Sequence, residues 1–168
     1  MVVQPSSACG VCDACLAGKP LACTDKKSIG LNVDGGFAPR VAVPVECCIA
    51  TGNSLAPHIA ALTEPFCVGD RAVEFGDIEP GQNIVVLGPG IIGLSTAFIA
   101  KRHGAASVTV VGKNDPLRLG IAEKMGADRV IDLGAGGSLS DHIPERSVDR
   151  VFEATGFAES ISQGLGLL

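Results

Sequence analysis

The stretch from Ile84 to His103 restricts the fold of this chain more than any other. Ile84-Val85-Val86-Leu87 is a short apolar run bounded by turn residues, the pattern of a strand buried on both faces. Gly88-Pro89-Gly90-Ile91-Ile92-Gly93 follows at once, and residues 91–103 read as a helix ended by Gly104. A lone G-x-G-x-x-G matches many plain βα turns by accident, but between a strand and a helix it has a mechanical meaning. Gly88 permits a tight turn, Gly90 lets the backbone approach a pyrophosphate, and Gly93 lets helix and strand pack closely. Free N–H groups at the helix start, near Ile91 and Ile92, then face the anion. From Pro80 to Ala100 no charged residue occurs across 21 positions. Gly88-Pro89-Gly90 in the middle breaks any continuous helix, which argues against a membrane span.

The alternation continues downstream. Ser107-Val108-Thr109-Val110-Val111 reads as a second strand, and residues 116–125 as a helix opened by Asn114-Asp115-Pro116 and closed by Gly126. Asp128–Ile131 is a third strand, a Gly/Ser loop spans 134–140, Val148–Phe152 is a fourth strand, and a last helix starts near 158. Strands alternating with helices imply βαβ units with right-handed crossovers, hence an α/β chain with a partial doubly wound parallel (Rossmann) sheet. With no Trp, no Tyr and six Phe, the core must come from Val, Ile, Leu and Ala. Upstream, residues 1–28 form a loop-rich lobe, Phe37–Pro44 is a short β-type run after the Gly35-Gly36 turn, and residues 55–76 lean to helix. Pro57 and Pro65 stand there as first-turn residues.

The end of the second strand selects the cofactor in such folds, because an acid there binds the ribose 2′-hydroxyl of NAD. This chain has Gly112 at that place, then Lys113 and Asn114. A missing carboxylate beside a lysine suits a 2′-phosphate and favours NADP, although Asp115 is close enough to serve NAD if the turn is tight.

Seven cysteines in a chain without an export signal point to metal or reactive thiols rather than disulfides. Cys9, Cys12, Cys15 and Cys23 follow C-x2-C-x2-C-x7-C. Two-residue gaps let successive thiolates turn toward one point, and four thiolates satisfy tetrahedral Zn²⁺ with no open position, as in a structural site. An iron–sulfur cluster is the other reading of this spacing. Cys47, Cys48 and Cys67 fit no ligand spacing with these four and read as small buried apolar residues. A formal net charge of −5 without a basic run gives no footprint for nucleic acid. The opening Met1–Pro5 has no basic start and no apolar run, so a cytoplasmic location is expected.

The ordered set of motifs resembles the zinc-dependent medium-chain dehydrogenases, among them alcohol, sorbitol and threonine dehydrogenases. The matching segments are Cys9-Gly-Val-Cys-Asp-Ala-Cys15 with Cys23, Gly35-Gly36-Phe37-Ala38, Ala60–Pro65, Glu79–Gly90, Met125-Gly126-Ala127-Asp128 and Phe152-Glu153-Ala154-Thr155-Gly156. They span nearly the whole chain in the family's order. The resemblance implies that the four cysteines hold a structural zinc. It also implies that residues 1–59 are a remnant of a GroES-like catalytic domain and residues 60–168 an incomplete NAD(P)-binding Rossmann domain. It places Glu64, as a catalytic residue, at or near a catalytic zinc, and Thr155 and Gly156 beside the cofactor. Gly112 matches family members of the threonine and sorbitol type.

The family also has a catalytic-zinc cysteine and a Gly-His-Glu motif ahead of the structural-zinc loop, and this chain begins almost at that loop. His58, His103 and His142 do not replace them and read as surface or capping residues. The expectation is a chain truncated at both ends. It would be a fragment of an alcohol or polyol dehydrogenase, inactive alone, with self-association through open sheet edges. The alternatives are a stand-alone NAD(P)-binding or redox-sensing module and a zinc-stapled structural element.

Overall fold

The computed structural model describes residues 1–52 and 55–168. They divide into two compact units, Met1–Thr63 and Glu64–Leu168. The division falls four residues after the 59/60 boundary drawn from the motifs, at the start of a helix.

The first unit is built from short pieces. β1 (Val2–Val3) pairs antiparallel with β4 (Cys48–Ile49), and β2 (Ser6–Ser7) with β3 (Lys27–Ser28). α1 (Asp13–Leu16) and α2 (Pro57–Ala60) are single turns, with 3₁₀ turns at Pro20–Ala22 and Val45–Cys47. Two-residue ladders have little stability of their own. Among the described residues of this unit only Cys47 and Ala60 are buried. Residues 37–44, expected as a β-type run, form no strand. Pro39 and Pro44 have no N–H to donate, and Phe37 is fully exposed, so the run has neither a ladder nor a core to join.

The second unit carries a real core. β5 (Asn83–Leu87), β6 (Ser107–Gly112), β7 (Arg129–Asp132) and β8 (Arg150–Glu153) form one parallel sheet in the order β7-β6-β5-β8. α3 (Thr63–Phe75), α4 (Ile91–Arg102), α5 (Pro116–Lys124) and α6 (Ala158–Leu165) complete it. Successive strands step outward from β5 to β7, and the chain then returns to lay β8 on the other side of β5. That reversal makes the C-terminal ends of β5 and β8 a topological switch point, where open α/β sheets bind ligands.

Pleating sends alternate residues to opposite faces. Ile84, Val86, Val108 and Val110 pack with Val73 of α3, with Leu94, Ala97 and Ala100 of α4, and with Leu119 and Ala122 of α5. Val85, Leu87, Val111 and Ile131 pack on the other face with Leu139, Ile143 and Leu167. Each fully buried Val, Ile or Leu contributes about 1.5–3 kcal/mol, so these two layers dominate the unit's stability. Gly69 brings α3 against α4 so closely that a Cβ there would stand 2.5 Å from Ser95 Oγ. Ser95 itself is buried and donates to the carbonyls of Ile92 and Pro65. Among the described residues β8 pairs only with β5, which leaves its outer edge open. Among the described residues no helix is long and apolar enough to cross a membrane.

Asp128 ties three elements together at the end of the sheet away from the switch point. Its carboxylate accepts from Lys101 Nζ of α4 at 2.7 and 2.8 Å and from the Val108 N–H of β6 at 2.7 Å. Burial would raise the Asp128 carboxyl, but Lys101 and the Val108 N–H outweigh it and hold it below the ordinary carboxylate value. A lowered carboxyl stabilises the fold above the unfolded-state value and loses that effect as pH falls through the folded-state value. Asp128→Asn keeps an acceptor and removes the charge. With the pair only partly buried, we expect a loss of about 1 kcal/mol at pH 7, fading as pH falls from the ordinary carboxylate range near pH 4 through the lower folded-state value, read from urea midpoints at several pH values.

Candidate dinucleotide cradle and thiolate tetrad

The chain leaves β5 through Gly88, whose φ of +102° is reached without strain only by glycine. A Cβ on Gly88 would lie 2.9 Å from the backbone of Ala154, just beyond β8. At Gly93 a Cβ would stand 1.9 Å from the carbonyl oxygen of Gly88, so the first turn of α4 can seat on the strand end only without a side chain. Gly90 differs from both. Its φ is −67°, which any residue adopts, and nothing lies within 4 Å of where its Cβ would be. The open space in front of Gly90 is the cradle. No side chain caps α4, so the N–H groups of its first turn, at Ile91, Ile92 and Gly93, point donors and a positive dipole end into that space. α5 contrasts with it, because Asp115 caps its N-terminus by accepting from the Arg118 N–H.

A cleft of about 850 Å³ opens there, inside the second unit. Gly88, Gly90, Gly112, Lys113 and Thr155 all line it, so five of the predicted cofactor residues meet at one place. Ile91, Ile92 and Gly93 stand behind Gly90 in the helix turn, and Gly156 follows Thr155 outside the lining. At Gly112 a Cβ would lie 3.0 Å from Pro89 Cγ and 3.1 Å from Leu119 Cδ2, so a side chain there would have to displace these two by a few tenths of an ångström. Asp115, the alternative acid, caps α5 and pairs with Arg118 at 3.1 Å.

Glu153 shapes the opposite wall. Its carboxylate accepts from the Thr155 N–H at 2.6 Å, from the Thr155 hydroxyl, and from the Gly156 N–H at 3.2 Å. Burial pushes this carboxyl up, yet the Thr155 hydroxyl and the Thr155 and Gly156 N–H groups win and hold it below its ordinary value. The turn that carries Thr155 is thus pinned to the end of β8.

In the first unit the four sulfurs of Cys9, Cys12, Cys15 and Cys23 lie within 4.8 Å of one another. Cys12 Sγ stands 3.5 Å and Cys9 Sγ 4.0 Å from Cys15 Sγ. Four thiolates about 2.3 Å from one tetrahedral zinc lie about 3.8 Å apart, and the observed spacings straddle that value. A four-iron cube would hold its thiolates on outer corners, well beyond this separation. The donor set and its size fit one closed tetrahedral ion. The backbone is arranged for negative sulfur: the Cys12 N–H donates to Cys9 Sγ at 3.4 Å, and the Cys9 N–H to Cys23 Sγ at 3.3 Å. The Cys12 thiol is drawn down to about 5, first by the Cys15 and then by the Thr24 backbone group, and Cys23 is lowered first by the Cys9 N–H. Cys15 is pushed up to about 12, first by burial and then by its contact with Cys12.

Glu64 lies exposed in the first turn of α3, outside the cleft lining. The cysteine tetrad is the one group of three or more potential metal ligands among the described residues, and Glu64 does not belong to it. Cys47 is buried and Cys48 half-buried, but Cys67 is exposed on α3, contrary to its reading as a core residue. The buried positions of α3 are Val73, which joins the core, and Gly69, which packs against α4.

No protein-family profile matches the chain. It is 32% identical over 169 residues to the sorbitol dehydrogenase of Bacillus subtilis, covering 98% of this chain and 48% of that enzyme. Among solved structures it matches a protein described as a zinc-binding dehydrogenase, from Sinorhizobium meliloti, bound to NADP, with a TM-score of 0.84 and 31% identity over 99% of this chain and 50% of that one. An alcohol dehydrogenase from Escherichia coli bound to NADH superposes with a TM-score of 0.82 and 27% identity, over 98% of this chain and 49% of that one.

The chain belongs to the zinc-dependent medium-chain dehydrogenase family. It spans about half the length of the curated relatives it matches. Motif reading located the glycine turn and the thiolates but missed Glu153 as the anchor of the Thr155 turn and Arg118 as a cleft residue. Both left a trace: Glu153 stands two residues before Thr155, and Arg118 lies one helical turn from its cap Asp115.

The glycines separate folding from binding. Gly93→Ala drives a methyl into the Gly88 carbonyl and should cost about 2–3 kcal/mol, seen as a fall in Tm. Gly90→Ala should change stability by less than about 1 kcal/mol, because its site is open and its φ ordinary. The same methyl occupies the cradle, so dinucleotide affinity should fall about tenfold or more in calorimetric titration.

Proposed function

We propose that this chain is the structural-zinc lobe and NAD(P)-binding platform of an alcohol or polyol dehydrogenase. Such an enzyme moves hydride between an alcohol carbon and a nicotinamide ring. In domain terms, residues 1–59 correspond to a remnant of a GroES-like catalytic domain and residues 60–168 to a Rossmann domain. What supports this reading most is the coexistence of a closed thiolate tetrad with a glycine cradle at a sheet switch point. Neither feature alone is specific, and both in this order are characteristic of one metalloenzyme family.

In this reading the zinc is structural, since four sulfurs leave it no open position, and it staples a lobe that lacks a core. A bound nicotinamide dinucleotide supplies the hydride acceptor or donor. Gly88 and Gly90 admit its pyrophosphate, and the N–H groups of Ile91, Ile92 and Gly93 hold that anion against the dipole of α4. Thr155 and Gly156, set by Glu153, flank the cofactor at the end of β8. Gly112 and Lys113 at the second strand favour NADP over NAD. Glu64 is proposed to stand at or near a catalytic metal in the assembled enzyme. The alcohol or polyol substrate belongs to that assembled enzyme, because the expected catalytic-zinc cysteine and Gly-His-Glu motif are not in this sequence. We place the protein in the cytoplasm, where reduced thiolates persist. We also propose that the open β8 edge promotes self-association.

Metal analysis and dinucleotide titration on one sample test the proposal. The expected result is one tightly held zinc per chain, reversible binding of a nicotinamide dinucleotide, and no measurable alcohol oxidation by this chain alone. Cys15→Ser should release the zinc and loosen the first unit while leaving dinucleotide affinity within about twofold. A chain that binds zinc but no dinucleotide would contradict the proposal, and so would alcohol oxidation by these 168 residues.

A further inference from the structure

The connections that leave β6 and β7 stand side by side at one end of the cleft, and a single side chain joins them. Gly112, the last residue of β6, is paired with Asp132, the last residue of β7. Asp132 Oδ1 accepts from the Asn114 N–H at 2.7 Å and from the Gly134 N–H at 2.8 Å. Asn114 lies between β6 and α5, and Gly134 lies in the 3₁₀ turn that follows β7. The two bonds therefore tie one strand connection to the next. Asn114 has a φ of +55°, a left-handed state that costs a residue with a side chain some backbone energy. The turns also touch directly. A Cβ on Gly134 would stand 2.0 Å from Asn114 Oδ1 and 2.9 Å from the Asn114 nitrogen, so a side chain there would push them apart. Asp132 and Asn114 lie outside the cleft lining, but their neighbours Lys113, Leu133 and Gly134 belong to it.

We propose that Asp132 is a positioning residue of this site: by tying the turns after β6 and β7 together, it fixes the wall on which the adenosine half of a dinucleotide rests. The proposal rests on the dinucleotide reading of the cleft and goes beyond it, by naming a residue outside the lining on which one half of the ligand depends. The pyrophosphate is held elsewhere, at the start of α4, while the strand beside β5 carries the adenosine side in such sheets. The wall there is made of turns, which have few bonds of their own. A loose turn must be ordered when a ligand arrives, and that cost is subtracted from affinity. Asp132 orders both turns in the free chain. Its two bonds fall on one oxygen. An asparagine side chain also has one carbonyl oxygen with two lone pairs, so it can take over both bonds. Alanine has no acceptor, and a serine hydroxyl ends one bond short of the carboxylate oxygens. Position, and not charge, is what the site takes from Asp132; the charge itself opposes a bound anion.

Two probes separate the halves of the site in the intact chain: adenosine 5′-diphosphate, which fills wall and cradle, and inorganic pyrophosphate, which fills the cradle alone. Asp132→Ala should weaken the adenosine diphosphate about five- to tenfold and leave pyrophosphate within about twofold. Asp132→Asn should keep adenosine diphosphate within about twofold of the unaltered chain, with any change a gain, because both bonds survive and a repelling charge is gone. Asp132→Ser should resemble alanine and serves as the second test of lost reach. A role in stability alone would lower Tm without moving the ratio of the two affinities. The contrast between asparagine and alanine in adenosine diphosphate binding decides the question by itself. An unchanged adenosine diphosphate affinity in Asp132→Ala or Asp132→Ser, an equal loss for both probes, or a loss in Asp132→Asn as large as in Asp132→Ala overturns the proposal while the dinucleotide reading stands. Failure of both probes and of NADP to bind the unaltered chain removes the reading and the proposal together.

Discussion

The contact between the first turn of α4 and the Gly88 carbonyl decides what the second unit can be. That carbonyl would lie 1.9 Å from any Cβ at position 93, so the helix reaches the strand end only through glycine. Close seating aims the uncapped start of α4 at the space between the ends of β5 and β8. It also leaves Gly90 facing an opening that no neighbour fills. Fold and site are here one constraint: the packing that makes a parallel sheet with helices on its faces also exposes backbone donors at its switch point.

The two units solve the problem of stability differently. The second has two apolar layers built almost wholly from aliphatic side chains. The first has two-residue ladders and, among its described residues, two buried side chains. Its order depends on sulfur chemistry. Backbone N–H groups turned toward Cys9, Cys12 and Cys23 prepare a negative cage, and a divalent ion would hold it closed. Metal loss should therefore be felt locally in this lobe, whereas loss of an aliphatic layer would unfold the sheet.

Most of the second unit was legible because its periods are clean. Ile84–Leu87, Ser107–Val111 and the helices after them lie within two residues of the elements observed. Spacing alone brought Cys9, Cys12, Cys15 and Cys23 together, since short gaps leave little conformational choice. Three readings depended on partners that local sequence does not specify. Phe37–Pro44 has strand-like residues but finds no ladder among the described residues. Cys67 has a core-like side chain on a helix whose inward positions are filled by Gly69 and Val73. Glu153 acquires its role from what the fold places beside it, the turn that carries Thr155.

The account's central claim is that backbone donors at the start of α4 bind a dinucleotide's pyrophosphate. Backbone amide NMR of the zinc-loaded chain during titration with NADP tests it directly. The account predicts saturable shifts largest at Gly90, Ile91, Ile92 and Gly93, with smaller ones at Thr155 and Gly156. Saturable binding that leaves the amides of residues 90–93 unmoved would contradict it.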